Sequence, residues 1–255
     1  MLIDTHCHLD FDAFDPDREE VIRRAVEAGV ERFIDIGASV ESSAAACALA
    51  LKYPEVYAGV GVHPHEADGF DAQSEGQIRE LAAGKKVVAV GEIGLDYYRN
   101  LSSKENQRKA FSKQLALAKD LGLPVVVHCR EAESDTLEVL EDFLPLRAAI
   151  HCFSGGRDFL EACLEKGFYV SYTCNITYKK APLLRECACR TPLEKLMLET
   201  DSPYLSPEGF RGKRNEPARV KILAEYIAKL RGISLKEISE RTTLNAGIFF
   251  GLGLA

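Results

Sequence analysis

The chain has 255 residues, 46% hydrophobic and 28% charged, a make-up that suits a folded protein with a sizeable core and excludes a disordered or fibrous one. A net charge of −7 argues against a general nucleic-acid coat or an anionic-membrane binder, though not against a local basic cleft. No apolar run approaches the roughly 20 residues that span a bilayer, and the first residues lack the basic and apolar regions of a secretory signal.

The first element, MLIDTHCH (1–8), reads as a buried strand, yet it places Asp4, His6 and His8 on one face by the two-residue alternation of strands. Polar side chains sharing a buried face need a partner. An amphipathic helical pattern follows at Arg18–Ala28, with Gly29 at its end, and then the strand-like RFIDIGAS (32–39) and a helix at Ser42–Lys52. VYAGVGVH (56–63) and KVVAVGEIG (86–94) are the third and fourth strands. A helix at Glu105–Leu121, stopped by Gly122, leads into PVVVHCR (124–130), opened by Pro124 where a missing N–H costs little. Helix Ala132–Phe143, strand RAAIHCF (147–153), helix Phe159–Lys166, strand GFYVSYT (167–173) and strand KLMLETD (195–201) complete the series, and Glu216–Leu230, Leu235–Arg241 and Asn245–Phe250 read as terminal helices. Near-continuous apolar strands suit a parallel sheet covered on both faces. Eight strand–helix units with no linker or repeat predict an α/β fold, a (β/α)8 TIM barrel forming a single domain over 1–255; an open doubly wound sheet is the alternative.

The six histidines and two carboxylates fall at strand ends. His6 and His8 end strand 1, His63 strand 3, Glu92 strand 4, His128 strand 5, His151 strand 6 and Asp201 strand 8, while His65 lies just beyond His63. From His8 to Asp201 is 193 residues over seven intervals, about 28 per interval, so each group recurs at one height of the barrel. Catalytic groups of such barrels occupy these C-terminal ends. Imidazole and carboxylate ligands suit Mg, Zn, Mn or Co. One ion is expected on His6, His8 and Asp201 and a second on His128 and His151, with Glu92 bridging, in a two-metal site that activates a water. Three of the eight cysteines, Cys7, Cys129 and Cys152, sit beside these histidines and by alternation should face the helix layer as reduced core thiols, which points to a cytoplasmic protein. CAC at 187–189 lacks a second pair at zinc-finger spacing and is not read as a zinc site.

LIDTHCHLD (2–10), LPVVVHCRE (123–131) and PLEKLMLETDSP (192–203) resemble the three signature segments of the TatD-type metal-dependent deoxyribonucleases of the amidohydrolase superfamily. GVHPHE, GEIGLDYY, HCFSG and RNEP are also similar, so the likeness runs along essentially the whole chain. It implies a TIM barrel, a divalent-metal-dependent hydrolase of DNA phosphodiesters, and His6, His8, Glu92, His128, His151 and Asp201 as metal ligands, the six reached above. Asp201 is expected to accept the water proton as well as bind metal. His63 and His65 are expected to hold phosphate or orient a ligand. The segment carrying Arg211, Lys213, Arg214 and Asn215 reads as a basic loop at the mouth, with Arg211 and Arg214 binding the DNA backbone. Arg130 is expected to point away unless its strand ends there, Tyr97 and Tyr98 are candidates for stacking on a base, Asp4 is expected to orient His6 and Glu199 to support the site from behind. A monomer is expected. A hydrolase of amides, lactones or esters on the same barrel is the alternative; Glu92, where related barrels carry a carboxylated lysine, and the basic loop favour phosphate.

Overall fold

In a computed structural model, which describes residues 1–253, every expected strand recurs in a single eight-stranded parallel sheet with order β1 to β8. The strands are β1 Leu2–Cys7, β2 Val30–Ile36, β3 Val56–Val60, β4 Val87–Asp96, β5 Val125–Arg130, β6 Ala148–Ile150, β7 Tyr169–Tyr172 and β8 Leu196–Leu198. The helices are α1 Arg18–Glu27, α2 Val40–Lys52, α3 Ala72–Ala82, α4 Lys104–Leu121, α5 Glu133–Glu141, α6 Arg157–Glu165, α7 Pro182–Arg190, α8 Val220–Arg231 and α9 Leu235–Phe250. The last two residues of the expected 1–255 unit lie outside the described residues. No helix among those described is long and apolar enough to cross a membrane.

Helix starts follow local chemistry. Ser39, Ser103 and Ser234 each accept the backbone N–H three residues on, and Asp71 and Ser74 form a reciprocal capping box that starts α3, a helix not singled out in the sequence. Gly122 at φ +68° ends α4 as expected. The C-terminal segment differs from expectation: Leu235–Arg241 and Asn245–Phe250 are one helix, α9. The polar stretch between them is absorbed by specific bonds. Thr242 Oγ1 donates to Ile238 O (2.8 Å), and Asn245 Nδ2 donates to Leu193 O (2.6 Å) and Leu196 O (2.8 Å) at the start of β8. These bonds hold α9 across the N-terminal ends of β1 and β8, and its Ala246, Phe249 and Phe250 join Ile3, Ile34, Val88, Val126 and Met197 in a cluster that closes the bottom of the barrel. The larger core lies between the strands and the helix layer.

Side chains complete the seam where the sheet closes. β1 and β8 meet through one isolated bridge, Cys7 with Ser202, flanked by His8 N–H donating to Ser202 O (2.8 Å) and Asp201 N–H donating to His6 O (2.9 Å). Below it Thr5 Oγ1 donates to Leu198 O (3.1 Å), and the fully buried Asp4 accepts from Thr200 N (2.8 Å), Thr200 Oγ1 (2.6 Å) and His6 N (3.4 Å). Asp4 therefore holds backbone at the seam; it does not reach the His6 ring. Asp4→Ala strands buried N–H and hydroxyl donors and should cost about 3 kcal/mol, lowering Tm by roughly 6–12 °C in a chain this size. Asp4→Asn, which keeps one acceptor on Thr200 N–H, should cost less than half as much by the same thermal melt.

Candidate metal centre

The close packing of β4 on β5 sets the site's width. Gly94 lies at φ +144°, where a Cβ would fall 2.0 Å from His128 O, so only glycine lets the two strands run this near each other. Glu92 and His128 then face one another across that gap. Glu92 Oε1 lies 2.7 Å from both His128 Nδ1 and His151 Nε2 and 3.4 Å from His63 Nε2. Its other oxygen, Oε2, lies 3.4 Å from His6 Nε2 and 3.8 Å from His8 Nε2. Asp201 Oδ1 is 3.4 Å from His8 Nε2 and 3.9 Å from His6 Nε2. All six expected ligands thus converge, and one carboxylate faces two groups of imidazoles with one oxygen each.

The donor set fits divalent cations. His6 Nε2 and His8 Nε2 stand only 3.3 Å apart, and His6 Nδ1 and His151 Nδ1 are buried with no hydrogen-bond partner among the described residues. Converging lone pairs shielded from water need a positive charge to face them. His6, His8 and Glu92 form one group of donor atoms close enough to share an ion; His63, Glu92 and His128 form another.

Protonation reflects this crowding. Burial alone would raise the Glu92 carboxyl, but His151, His63 and His128 hold it well below the usual carboxylate range. His8, disfavoured as a cation by burial, is nonetheless pushed up to about 9 by Asp201 and Glu92. His63 goes the other way, to about 4, because burial outweighs its attraction to Glu92. Cations that bind here compete with protons on the same nitrogens.

A backing layer aims these groups. His8 Nδ1 bonds Ile36 O (2.8 Å), which turns Nε2 into the site. Asp96, four residues after Glu92, lies 3.3 Å from His128 Nε2 and accepts from His65 Nε2 (2.8 Å) and Arg99 N (2.8 Å). Sequence reasoning passed over Asp96, although alternation along GEIGLD places it on the face of Glu92. His65 is consequently one step removed from the donors, whereas His63 is among them. Glu199, buried behind the site as expected, accepts from Ser171 Oγ (2.6 Å) and Cys152 N (2.5 Å) and lies 3.5 Å from His151 Nδ1. Asp201 itself adopts φ +53°, a region that Asp and Asn tolerate better than other side chains.

One cysteine differs from the orientation expected by alternation because β6 is shorter than its apolar run. β6 ends at Ile150, so Cys152, at φ +44°, lines the cleft instead of the helix layer. Cys7 and Cys129 do face outward, and all eight cysteines are free thiols. Arg130, expected to point away, instead lines the cleft: two residues after His128 and still within β5, it shares that residue's face, and its guanidinium lies 4.0 Å from the Tyr98 ring centre. The cleft encloses about 640 Å³.

Arg211 and Arg214 do not line it. Arg214 donates to both oxygens of Asp17 (2.7 and 2.8 Å), to Glu216 (3.4 Å) and to Ala13 O (2.6 Å), and Arg24 bonds the same two carboxylates. Its charge is spent fastening the RNEP segment to the start of α1. Arg211 is exposed, its guanidinium 4.6 Å from the Tyr178 ring centre.

A parallel (β/α)8 barrel with imidazoles and carboxylates gathered at its C-terminal mouth is the architecture of a metal-dependent hydrolase. The chain belongs to the TatD-related DNase family, whose model matches residues 3–251. It is 40% identical over 252 residues to the uncharacterized metal-dependent hydrolase YabD of Bacillus subtilis, covering 98% of this chain and 99% of that protein. It is 39% identical over 259 residues to the 3′-5′ ssDNA/RNA exonuclease TatD of Erwinia tasmaniensis, covering 98% of this chain and 100% of that protein. Among solved structures, the TatD homolog YJJV of Escherichia coli superposes with a TM-score of 0.94 at 34% identity over 98% of each chain.

The Arg214 network yields a pH prediction. Arg214 and, against some burial, Arg24 hold the Asp17 carboxyl down to about 2 from an ordinary 3.8. A group depressed in the folded state stabilises it above its unfolded pKa and loses that contribution as pH falls from about 4 towards 2. Asp17→Asn should therefore flatten the fall of Tm across that window, at a cost near neutral pH of under about 1 kcal/mol for this partly exposed pair. A wild-type slope between pH 4 and 2 would show that Asp17 is not the titrating group.

Proposed function

We propose that this chain is a divalent-metal-dependent nuclease that hydrolyses DNA phosphodiester bonds, with residues 1–255 acting as one cytoplasmic, monomeric unit. The observation that carries the reading is the Glu92 carboxylate, one oxygen towards His6 and His8 and the other towards His128 and His151. That disposition suits two ions, drawn from Mg, Zn, Mn or Co, with His6, His8 and Asp201 holding one, His128 and His151 the other, and Glu92 shared. When bound, such ions polarise the phosphoryl oxygens and make water acidic enough to lose a proton near neutral pH.

The chain's residues supply the rest. Asp201 Oδ1, beside His8 and 16% exposed, accepts the proton of the attacking water as its oxygen bonds phosphorus in line and the P–O bond to the leaving nucleotide breaks. His63, held nearly uncharged, is placed to donate to a phosphate oxygen, and His65 with Asp96 steadies His128. Arg211 offers an exposed charge for backbone capture outside the cleft, and Arg214 supports that loop through its anchored side chain. Likeness to a 3′-5′ ssDNA/RNA exonuclease extends the substrates to single strands of DNA or RNA entered from a 3′ end, and a walled cleft accommodates a strand end more readily than a duplex. Metal-replete protein assayed on labelled single- and double-stranded DNA beside a panel of amides and lactones decides the reaction class; turnover of the panel without cleavage of DNA would refute the proposal.

Elemental analysis should find up to two divalent ions per chain, and His128→Ala combined with His151→Ala should remove one of them. No change in metal content would break that assignment. Asp201→Asn keeps the backbone conformation and a weak carbonyl ligand but cannot take a proton. It should lower kcat/KM on DNA by roughly 10² or more at saturating metal, and Glu199→Gln, which acts only through His151, should cost less. Near wild-type activity in Asp201→Asn would remove Asp201 from its role.

A further inference from the structure

The aromatic side chains around the mouth differ in whether their faces are already in use. Tyr97, a candidate for base stacking from sequence, gives its hydroxyl proton to Asp135 (2.7 Å) and has Lys104 Nζ 4.0 Å from its ring centre. Tyr98 has the Arg130 guanidinium 4.0 Å from its ring centre. Tyr204 lines the cleft and remains 54% exposed, and among the described residues it has neither a cation on its ring nor a hydrogen bond to its hydroxyl. An aromatic ring left in water gains nothing for folding, at about 25 cal/mol per Å² of apolar surface not buried.

Its position is referenced to the metal centre through short, rigid links. Tyr204 N–H donates to Asp201 O (2.9 Å), and Asn215 N–H donates to Pro203 O (2.9 Å), so the turn after Asp201 is tied down on both sides. The ring meets Phe11 edge to face, with centroids 6.2 Å apart, and Phe11 in turn stacks on His8 at 4.6 Å and 15°. A continuous aromatic ledge thus runs from a proposed metal ligand to an open ring. Leu205, also lining the cleft, continues the apolar surface beside it.

We infer that Tyr204, backed by Phe11, is a stacking shelf for the nucleobase of the nucleotide that adjoins the scissile phosphate. The inference rests on the nuclease reading and adds to it the residue that engages the base. Stacking tolerates every base because each has a π-face, so the shelf secures the strand end with little sequence preference, and purines, with more ring area, bind somewhat better than pyrimidines. Arg130, also lining the cleft, has its guanidinium against the Tyr98 ring.

The test uses the full metal-loaded chain and two single-stranded oligonucleotides that differ only in whether the 3′-terminal nucleotide carries its base or is abasic. In wild type, KM should favour the base-bearing strand by about 5- to 150-fold, the range that 1–3 kcal/mol of stacking gives. In Tyr204→Ala that ratio should collapse towards one, and Tyr204→Phe, which keeps the ring, should restore it. An unchanged ratio in Tyr204→Ala overturns the shelf. Binding is read apart from turnover with an oligonucleotide ending in 2-aminopurine, whose fluorescence falls on stacking. Quenching in wild type and Tyr204→Phe but not in Tyr204→Ala supports the shelf even where no strand is cleaved, in which case only the nuclease reading falls. Equal quenching in Tyr204→Ala, or none in wild type, overturns the shelf whatever the activity.

Discussion

One carboxylate shared between two sets of imidazoles organises this molecule. Glu92 meets His128 and His151 through one oxygen and faces His6 and His8 with the other, and those partners arrive from three different strands, β1, β5 and β6. Buried together, the groups are costly unless a cation completes them, because each has exchanged water for neighbours of the same lone-pair character. The rest of the fold is arranged so that they nevertheless stand within a few ångströms of one another. Gly94 narrows the gap between β4 and β5. Asp96 and the Ile36 carbonyl hold the outer sides of two imidazoles, and Glu199 lies 3.5 Å behind a third.

Closure of the sheet is the second requirement, since His6, His8 and Asp201 come from its first and last strands. Few backbone bonds join β1 to β8, and the buried Asp4 with Thr200 and Thr5 supplies what the ladder lacks. The opposite end is sealed by α9, whose Asn245 satisfies carbonyls at the start of β8 while Phe249 and Phe250 fill the base. Rigidity at the seam and base leaves the loops at the mouth free to carry recognition, as in barrels generally. That division places Phe11, Arg99, Arg130 and Tyr204, all on loops or strand ends, around the cluster of imidazoles and carboxylates.

Arginines in this chain show why charge alone does not locate a binding surface. Arg214 looked, by its neighbours in the sequence, like part of a basic loop over the mouth. In the fold it meets Asp17 and Glu216, residues 197 positions before it and two after it, and becomes a fastener between α1 and the loop. Arg130, expected to point away, lines the cleft because it lies two residues after His128 on the same face of β5. Tyr97 and Tyr98 are likewise consumed by Asp135, Lys104 and Arg130.

By itself the sequence determined the barrel and the convergence of the six residues expected to hold metal. Eight apolar runs at a regular spacing leave few ways to bury both faces of a sheet, and groups at equivalent strand ends must then meet at one mouth. Alternation also places Asp96 on the face of Glu92. What only the tertiary structure decided lies where periodicity stops: the left-handed turns at Glu131, Cys152, Asp201 and Leu205, the continuity of α9 through a polar stretch, and the partners that claim each arginine and tyrosine. Such side chains take their direction from neighbours far away in the chain. A period of two or 3.6 describes a backbone repeating itself, and at loop residues nothing repeats.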